Sequence, residues 1–89
     1  MIVEFDESFL KSLRKIKDTK IKSRLKLLIF ELEAATDLNE VSALKKLVGY
    51  ERFYRIRIGN YRLGIEHVAD KTIRLVIVLH RKDIYKRFP

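Results

Sequence analysis

Three arginines fall within eight residues of one another, Arg55 and Arg57 before Gly59-Asn60 and Arg62 just after it. A guanidinium is planar, permanently charged and forked, so it suits bidentate contact with phosphate oxygens. Gly-Asn between two runs rich in β-branched and aromatic residues predicts a hairpin with a two-residue type I′ or II′ turn. That turn fixes the register. Ile58 is set opposite Tyr61, Arg57 opposite Arg62, Ile56 opposite Leu63 and Arg55 opposite Gly64. One face then carries Tyr54, Ile56, Ile58, Tyr61, Leu63 and Ile65, which makes it the core face. The other carries Phe53, Arg55, Arg57, Arg62, Gly64 and Glu66. Like charges directly opposed on a sheet cost a few tenths to about 1 kcal/mol. Either each guanidinium splays into water or pairs with Glu51 or Glu66, or the three await an anion; the third charge on the face favours the anion.

A second basic segment follows the next apolar run, His80-Arg81-Lys82-Asp83-Ile84-Tyr85-Lys86-Arg87. A three-residue turn at Ala69-Asp70-Lys71 pairs Val68 with Thr72 and Glu66 with Arg74. It sends Ile73, Leu75, Ile77 and Leu79 to the core face, and Arg74, Val76, Val78 and His80 to the arginine face. Glu66–Arg74 then reads as a structural ion pair. His80 would share a face with Arg62 and is the side chain best suited by pKa to move a proton near neutrality. Tyr85, four residues beyond Arg81, would return to the arginine face on a short terminal helix, to pack, to stack on a base or to transfer a proton. His67 falls on the core face near the sheet edge and reads as structural. Lys45, Lys46, Arg52, Phe53, Lys82, Lys86 and Arg87 flank these segments and are candidates for RNA contact.

Other chemistries have little footing. With no cysteine there is no disulfide, thiolate metal site or thiol nucleophile. The three glycines make no phosphate-binding loop. No His/Asp/Glu cluster has metal-ligand spacing, so no metal or cofactor is expected. Ser8, Ser12, Ser23 and Ser42 have no histidine near them in sequence, against a serine triad.

The elements that must position these residues fit one domain spanning residues 1–89, with a thin core. Hydrophobic residues make up 47% of the chain, a globular composition. Glu4, Asp6 and Glu7 interrupt any leader-like apolar start, and no run is long enough to span a bilayer, so a cytoplasmic protein without a membrane partner is expected. The net charge is +8, all of it in one half: residues 1–44 carry eight basic and eight acidic side chains, residues 45–89 twelve and four. One-sided basicity favours polyanionic partners, nucleic acid first.

Residues 1–5 read as a strand. Asp6 then caps a helix with Phe9, Leu10, Leu13 and Ile16 at helical spacing. Asp18 or Thr19 caps a second, with Ile21, Leu25, Leu28, Ile29 and Leu32 along one stripe. The short polar link makes an αα-hairpin. Residues 36–50 predict a helical turn or an irregular packed segment through Leu38, Val41, Leu44 and Leu47, with a break at Gly49. Arg52–Ile58, Tyr61–Val68 and Thr72–His80 are strands. The fold class is α+β, an N-terminal strand and αα-hairpin against one face of a small antiparallel sheet, with a short C-terminal helix.

The segments Leu44-Lys45-Lys46-Leu47-Val48-Gly49, Tyr54-Arg55-Ile56-Arg57-Ile58-Gly59-Asn60-Tyr61-Arg62-Leu63 and His80-Arg81-Lys82-Asp83-Ile84-Tyr85 resemble the RelE/ParE superfamily of type II toxin–antitoxin toxins, over nearly the whole chain. The resemblance implies the RelE-like microbial RNase fold. For the RelE-like branch it implies a ribosome-dependent endoribonuclease that cleaves mRNA in the A site without a metal. The substrate 2′-hydroxyl attacks the adjacent phosphate, leaving a 2′,3′-cyclic phosphate and a free 5′-hydroxyl. Arg55, Arg57, Arg62, Arg81 and Tyr85 match the positions that act on the phosphate, and His80 matches a catalytic histidine of some relatives. Lysines used on the second strand by some RelE enzymes are arginines here, which leaves the general base to His80 or Tyr85. The ParE-like alternative is a non-enzymatic inhibitor of DNA gyrase. Either branch implies a RelB-like or equivalent antitoxin, whose acidic amphipathic segment would cover the basic half. Operator DNA would be reached only through that complex, and the remaining partners would be the ribosome and mRNA.

Overall fold

The computed structural model describes residues 1–89. Its elements run β1 (Ile2–Phe5), α1 (Glu7–Arg14), α2 (Thr19–Ala34), a 3-10 turn (Leu38–Glu40), β2 (Leu44–Lys46), β3 (Phe53–Ile58), β4 (Tyr61–Ala69), β5 (Thr72–His80) and α3 (Ile84–Arg87). The five strands form one sheet in the order β1-β5-β4-β3-β2. α1 and α2 cover one face of it, and the class is α+β as expected. No helix is long and apolar enough to cross a membrane.

The helices start where their caps dictate. The Asp6 carboxylate accepts from the Ser8 backbone N–H at 3.1 Å. Bonds from the Ser8 hydroxyl first, and its backbone N–H second, hold that carboxyl below the usual carboxylate range. Asp18, rather than Thr19, caps α2, accepting from Lys20 and Ile21. Phe9, Ile16, Ile21, Leu25, Leu28 and Leu32 are buried against Ile56, Ile58, Leu63, Ile65, Ile73, Leu75 and Val78. Leu10, expected on the apolar stripe of α1, is exposed. Ser12 takes the buried place beside Phe9 instead.

That serine marks a division of labour along β5. β1 runs parallel to β5 and pairs only from Ile2↔Thr72 to Phe5↔Leu75, so the sheet is mixed rather than wholly antiparallel. Past Leu75 the backbone edge of β5 has no strand neighbour, and α1 lies along it. Ser8 Oγ lies within hydrogen-bond reach of both the Asp6 carboxylate and the Val76 carbonyl and shares its one proton between them. Ser12 Oγ accepts from the Val78 N–H at 3.0 Å and donates to the Phe9 carbonyl at 2.9 Å. Two hydroxyls stand in for a missing strand, which meets the demand that buried backbone groups be paired. Ser12→Ala is expected to leave the Val78 N–H unpaired in the core, at about 1–3 kcal/mol. A urea titration with an unchanged slope and a lower midpoint checks this; an unchanged midpoint refutes it.

The segment expected to be a helical turn or irregular resolves into both a turn and a strand. Leu38–Glu40 forms the 3-10 turn, and β2 pairs antiparallel with β3 through Leu44↔Ile56, Lys45↔Arg55 and Lys46↔Tyr54. Three residues are too few for a period-two pattern to register, and β2 exists because the β3 edge is open to receive it.

Candidate active site

The hairpin register is the one expected. β3 and β4 pair Ile58↔Tyr61, Arg57↔Arg62, Ile56↔Leu63 and Arg55↔Gly64. Gly59 takes the left-handed conformation at φ +58° that the tight turn demands. Ile56, Ile58, Leu63 and Ile65 are buried, and Tyr54 and Tyr61 pack on their margin. On the other face Lys45, Arg55, Gly64 and Ile77 lie in one row across four strands, with Arg57, Arg62 and Leu79 in the next.

The β4–β5 pairing departs from the expected register in two places. The β4–β5 turn holds two residues, Asp70 and Lys71, with Ala69 opposite Thr72; a bulge at Val68 then restores the expected Glu66↔Arg74 pair. Arg74 contacts Glu66 at 3.5 Å and Glu4 of β1 at 3.1 Å, a structural bridge across the sheet. A second bulge falls at Val76: Leu75 faces Ile65, but Ile77 faces Gly64. An extra residue reverses every later side chain. Ile77 and Leu79 therefore move to the arginine face, and Val78 joins the main core.

His80 is reversed with them. It stands opposite Tyr61, not on the row of Arg62, with the two rings 5.6 Å apart edge to face. Its Nδ1 accepts from the Lys82 backbone N–H at 3.2 Å. The expectation that His80 shares the arginine face is thus corrected, and parity failed because the bulge was invisible to it.

The same reversal seats Tyr85. Ile77 and Leu79 provide the apolar floor on which Ile84 and Phe88 of the C-terminal segment pack, with Leu47, Phe53 and Val76 around them. Phe88 lies directly on Gly64, where a Cβ would come within 2.8 Å of its ring. Between these anchors Tyr85 points outward, 61% exposed. Its hydroxyl accepts a hydrogen bond from Arg55 Nη1, and the Arg55 guanidinium carbon stands 5.5 Å from the ring centroid. The expected return of Tyr85 to the arginine face is what the structure shows.

Arg62 is half-buried and turned onto the hairpin, donating to the Gly59 carbonyl at 3.0 Å and the Tyr61 carbonyl at 2.9 Å. Burial holds its pKa below the usual guanidinium range. The positive charge of Arg57 adds to this, with smaller effects from Arg55 and Arg81, while Tyr85 opposes them. It remains charged at any physiological pH. The charged groups that act on Arg62 are four of the five others expected at the site, His80 not being among them. Arg81 is fastened beside the turn by its backbone N–H, which donates to the Asn60 carbonyl at 2.7 Å. The three ion pairs of the molecule involve Lys11 and Arg74 only. Arg55, Arg57, Arg62 and Arg81 converge without a carboxylate, so the alternative in which they pair with Glu51 or Glu66 does not occur. No three His, Asp or Glu side chains gather as a metal ion would need.

The flanking candidates divide. Lys45 stands beside Arg55 on the same face. Lys46 lines a groove next to it. Arg52, Lys82 and Lys86 are exposed. Phe53, expected to meet RNA, is half-buried, with Phe88 at 5.5 Å and Tyr50 at 5.8 Å, both edge-on. It is part of the seat of α3. Arg87 lines a separate groove with Asp6, Glu7 and Lys11 at the start of α1. Sequence reasoning missed Tyr50, exposed beside Arg55, whose only signal was an aromatic residue following Gly49 in a turn.

The chain thus sets a two-helix layer on one face of a small mixed sheet and gathers arginines on the other. The family model described as "ParE toxin of type II toxin-antitoxin system, parDE" matches residues 3–85. Toxin RelE3 of Methanocaldococcus jannaschii is 46% identical over 90 residues, spanning all of both chains. The crystal structure of the RelB-RelE antitoxin-toxin complex from Methanococcus jannaschii superposes with a TM-score of 0.80 at 44% identity, over 97% of this chain and 99% of that one. The intact RelBE toxin-antitoxin complex of E. coli superposes at 0.62 with 26% identity, over 86% and 92%. The chain belongs to the RelE/ParE superfamily of type II toxin–antitoxin toxins.

Proposed function

We propose that this toxin is a ribosome-dependent endoribonuclease of the RelE kind, acting on mRNA in the cytoplasm. The observation that carries the reading is that Arg55, Arg57 and Arg62 share one sheet face, with Tyr85 hydrogen-bonded to Arg55 and Arg81 held beside the hairpin turn, no guanidinium among them paired with a carboxylate. Two RelE relatives of known structure, matched along most of their length, support it.

A scissile phosphate placed over Arg57 and Arg62 meets two forks whose mutual repulsion an anion relieves. The substrate 2′-hydroxyl attacks that phosphorus, and the bond to the 5′-oxygen of the next nucleotide breaks. The products are a 2′,3′-cyclic phosphate and a free 5′-hydroxyl, with no metal ion in the step. Charge accumulates on the phosphoryl oxygens in the transition state, and preorganised donors there are worth about 3–4 kcal/mol each. Arg81, beside the hairpin turn, stabilises the departing oxygen. With His80 turned off this face, Tyr85 is the remaining group that can relay a proton, through the hydroxyl held by Arg55. The ribosome supplies the strand geometry that an open face cannot impose alone.

A RelB-like antitoxin is the proposed neutralising partner, since the matched relatives were solved in such complexes. Its cover over the basic half makes the association salt-sensitive, and operator DNA is reached through that complex. The family description leaves a ParE-like gyrase inhibitor as the second reading. Inducing the chain in cells and mapping mRNA 5′ ends separates the two. Cuts spaced by codon within translated frames, dependent on ribosomes, are expected. Intact mRNA together with blocked supercoiling would replace this reading with the second.

A further inference from the structure

A groove of about 410 Å³ opens beside the arginine cluster, between the β2–β3 connection and α3. That volume falls within the range of about 300–1,000 Å³ typical of small-ligand clefts. Its walls are Leu47, Val48 and Tyr50 on one side and Tyr85 and Phe88 on the other, with Arg55 between them. A turn closed by the Tyr50 N–H on the Leu47 carbonyl, at 3.3 Å, holds the first wall in place. Val48 is 97% and Tyr50 48% exposed, so both side chains are open to a ligand entering the groove. The Tyr50 ring is braced edge-on against Phe53, and Phe53 against Phe88. Both tyrosines therefore rest on the same apolar cluster that seats α3.

We infer that this groove is a nucleobase slot, in which Tyr50 stacks on the base of a nucleotide adjoining the scissile phosphate. The inference rests on the reading of the arginine face as an RNA-phosphate site. Tyr50 and Tyr85 line the groove together with Arg55, which supplies what an unstacked RNA base requires: an aromatic ring to stack on and a donor for its edge. Arg55 belongs to both places, in the phosphate cluster and in the groove. A strand whose phosphate lies on Arg57 and Arg62 thus delivers a neighbouring base to the groove. Tyr50 is in this account a positioning and selecting residue; it sits outside the arginine cluster and takes no part in proton transfer.

The test uses an uncleavable mRNA on programmed ribosomes, 2′-O-methylated through the A-site codon and its neighbours, with 2-aminopurine placed at each of those positions in turn. Stacking on tyrosine quenches its emission. Quenching is expected at one position with the wild-type chain, retained in Tyr50→Phe and lost in both Tyr50→Ala and Tyr50→Leu. The leucine variant keeps an apolar contact with Phe53, and its urea midpoint shows whether the fold is intact. On programmed ribosomes, Tyr50→Leu should lower kcat/KM about fivefold to a hundredfold, the span of base–aromatic stacking. It should also flatten the base preference next to the cut, while Tyr50→Phe keeps both. Quenching at no position, or quenching that survives in folded Tyr50→Leu, overturns the slot. A wild-type chain that cuts no mRNA yet shows Tyr50-dependent quenching removes the cleavage reading and leaves the slot standing.

Discussion

Arg62→Ala and Arg81→Ala are each expected to lower the proposed ribosome-dependent mRNA cleavage by about two to three orders of magnitude, the usual loss for one preorganised donor, while the protein stays folded. The two positions differ instructively. Arg81 is exposed, and its fixed contact is through the backbone N–H, which alanine retains. Arg62 loses two hydrogen bonds to turn carbonyls. Those carbonyls lie at the hairpin end, where water can replace the guanidinium at a net cost near 1 kcal/mol per bond. Against this, removing Arg62 relieves its opposition to Arg57, which recovers a few tenths to about 1 kcal/mol. Stability should therefore fall by only about 1–2 kcal/mol while activity collapses, as expected where a site holds charge for a ligand rather than for the fold. Arg62→Lys keeps the charge but not the fork, and should recover only part of the rate. The double variant should lose less than the product of the single effects, because the donors act on one phosphate. Codon-mapped cleavage, beside urea midpoints, decides the matter; full cleavage by both single variants would sink the site.

Replacing one hydrogen on Gly64 should be nearly as damaging, and for a different reason. A Cβ at this position would stand 2.8 Å from Cγ and Cδ1 of Phe88 and 2.9 Å from Cδ2. The obstacle is a rigid ring wedged against Phe53, so the ring must leave rather than bend. Gly64→Ala should cost about 1–3 kcal/mol as overpacking, and it should lift α3 with Phe88. Tyr85 then parts from Arg55, and cleavage falls although no residue of the arginine cluster has changed. Hydrogen exchange reports the structural half. The Phe88 amide, bonded to the Ile84 carbonyl at 2.8 Å, should lose protection while β3 and β4 keep theirs. A Gly64→Ala protein with full activity and a protected Phe88 amide would refute this account.

Much of this site could be read without coordinates because its information is local. Alternation through Tyr54–Ile58 and Tyr61–Ile65, joined by Gly59-Asn60, admits one register that buries the isoleucines and leucine. Arg57 must then oppose Arg62. Asp6 and Asp18 announce their helices because a carboxylate two or three residues ahead of free N–H groups is a local event. The run after β5 named Arg81 and Tyr85, but the floor that seats Tyr85 against the hairpin exists only through the reversal at Val76.

What the sequence could not decide depends on partners distant along the chain. β2 has three residues and forms because β3 has a vacant edge. Phe53 looks like a stacking residue until Phe88, thirty-five positions later, is found against it. The fate of His80 turns on a single bulged residue, Val76. That bulge falls where β5 exchanges β1 for α1 as its neighbour, the point at which Phe5↔Leu75 is the last strand pair and Ser8 takes the Val76 carbonyl. Period two tells which side chains share a face only while the strand is regular. Whether it stays regular is set by which backbone groups remain to be satisfied along its edge, and those are known only when the chain has folded around it.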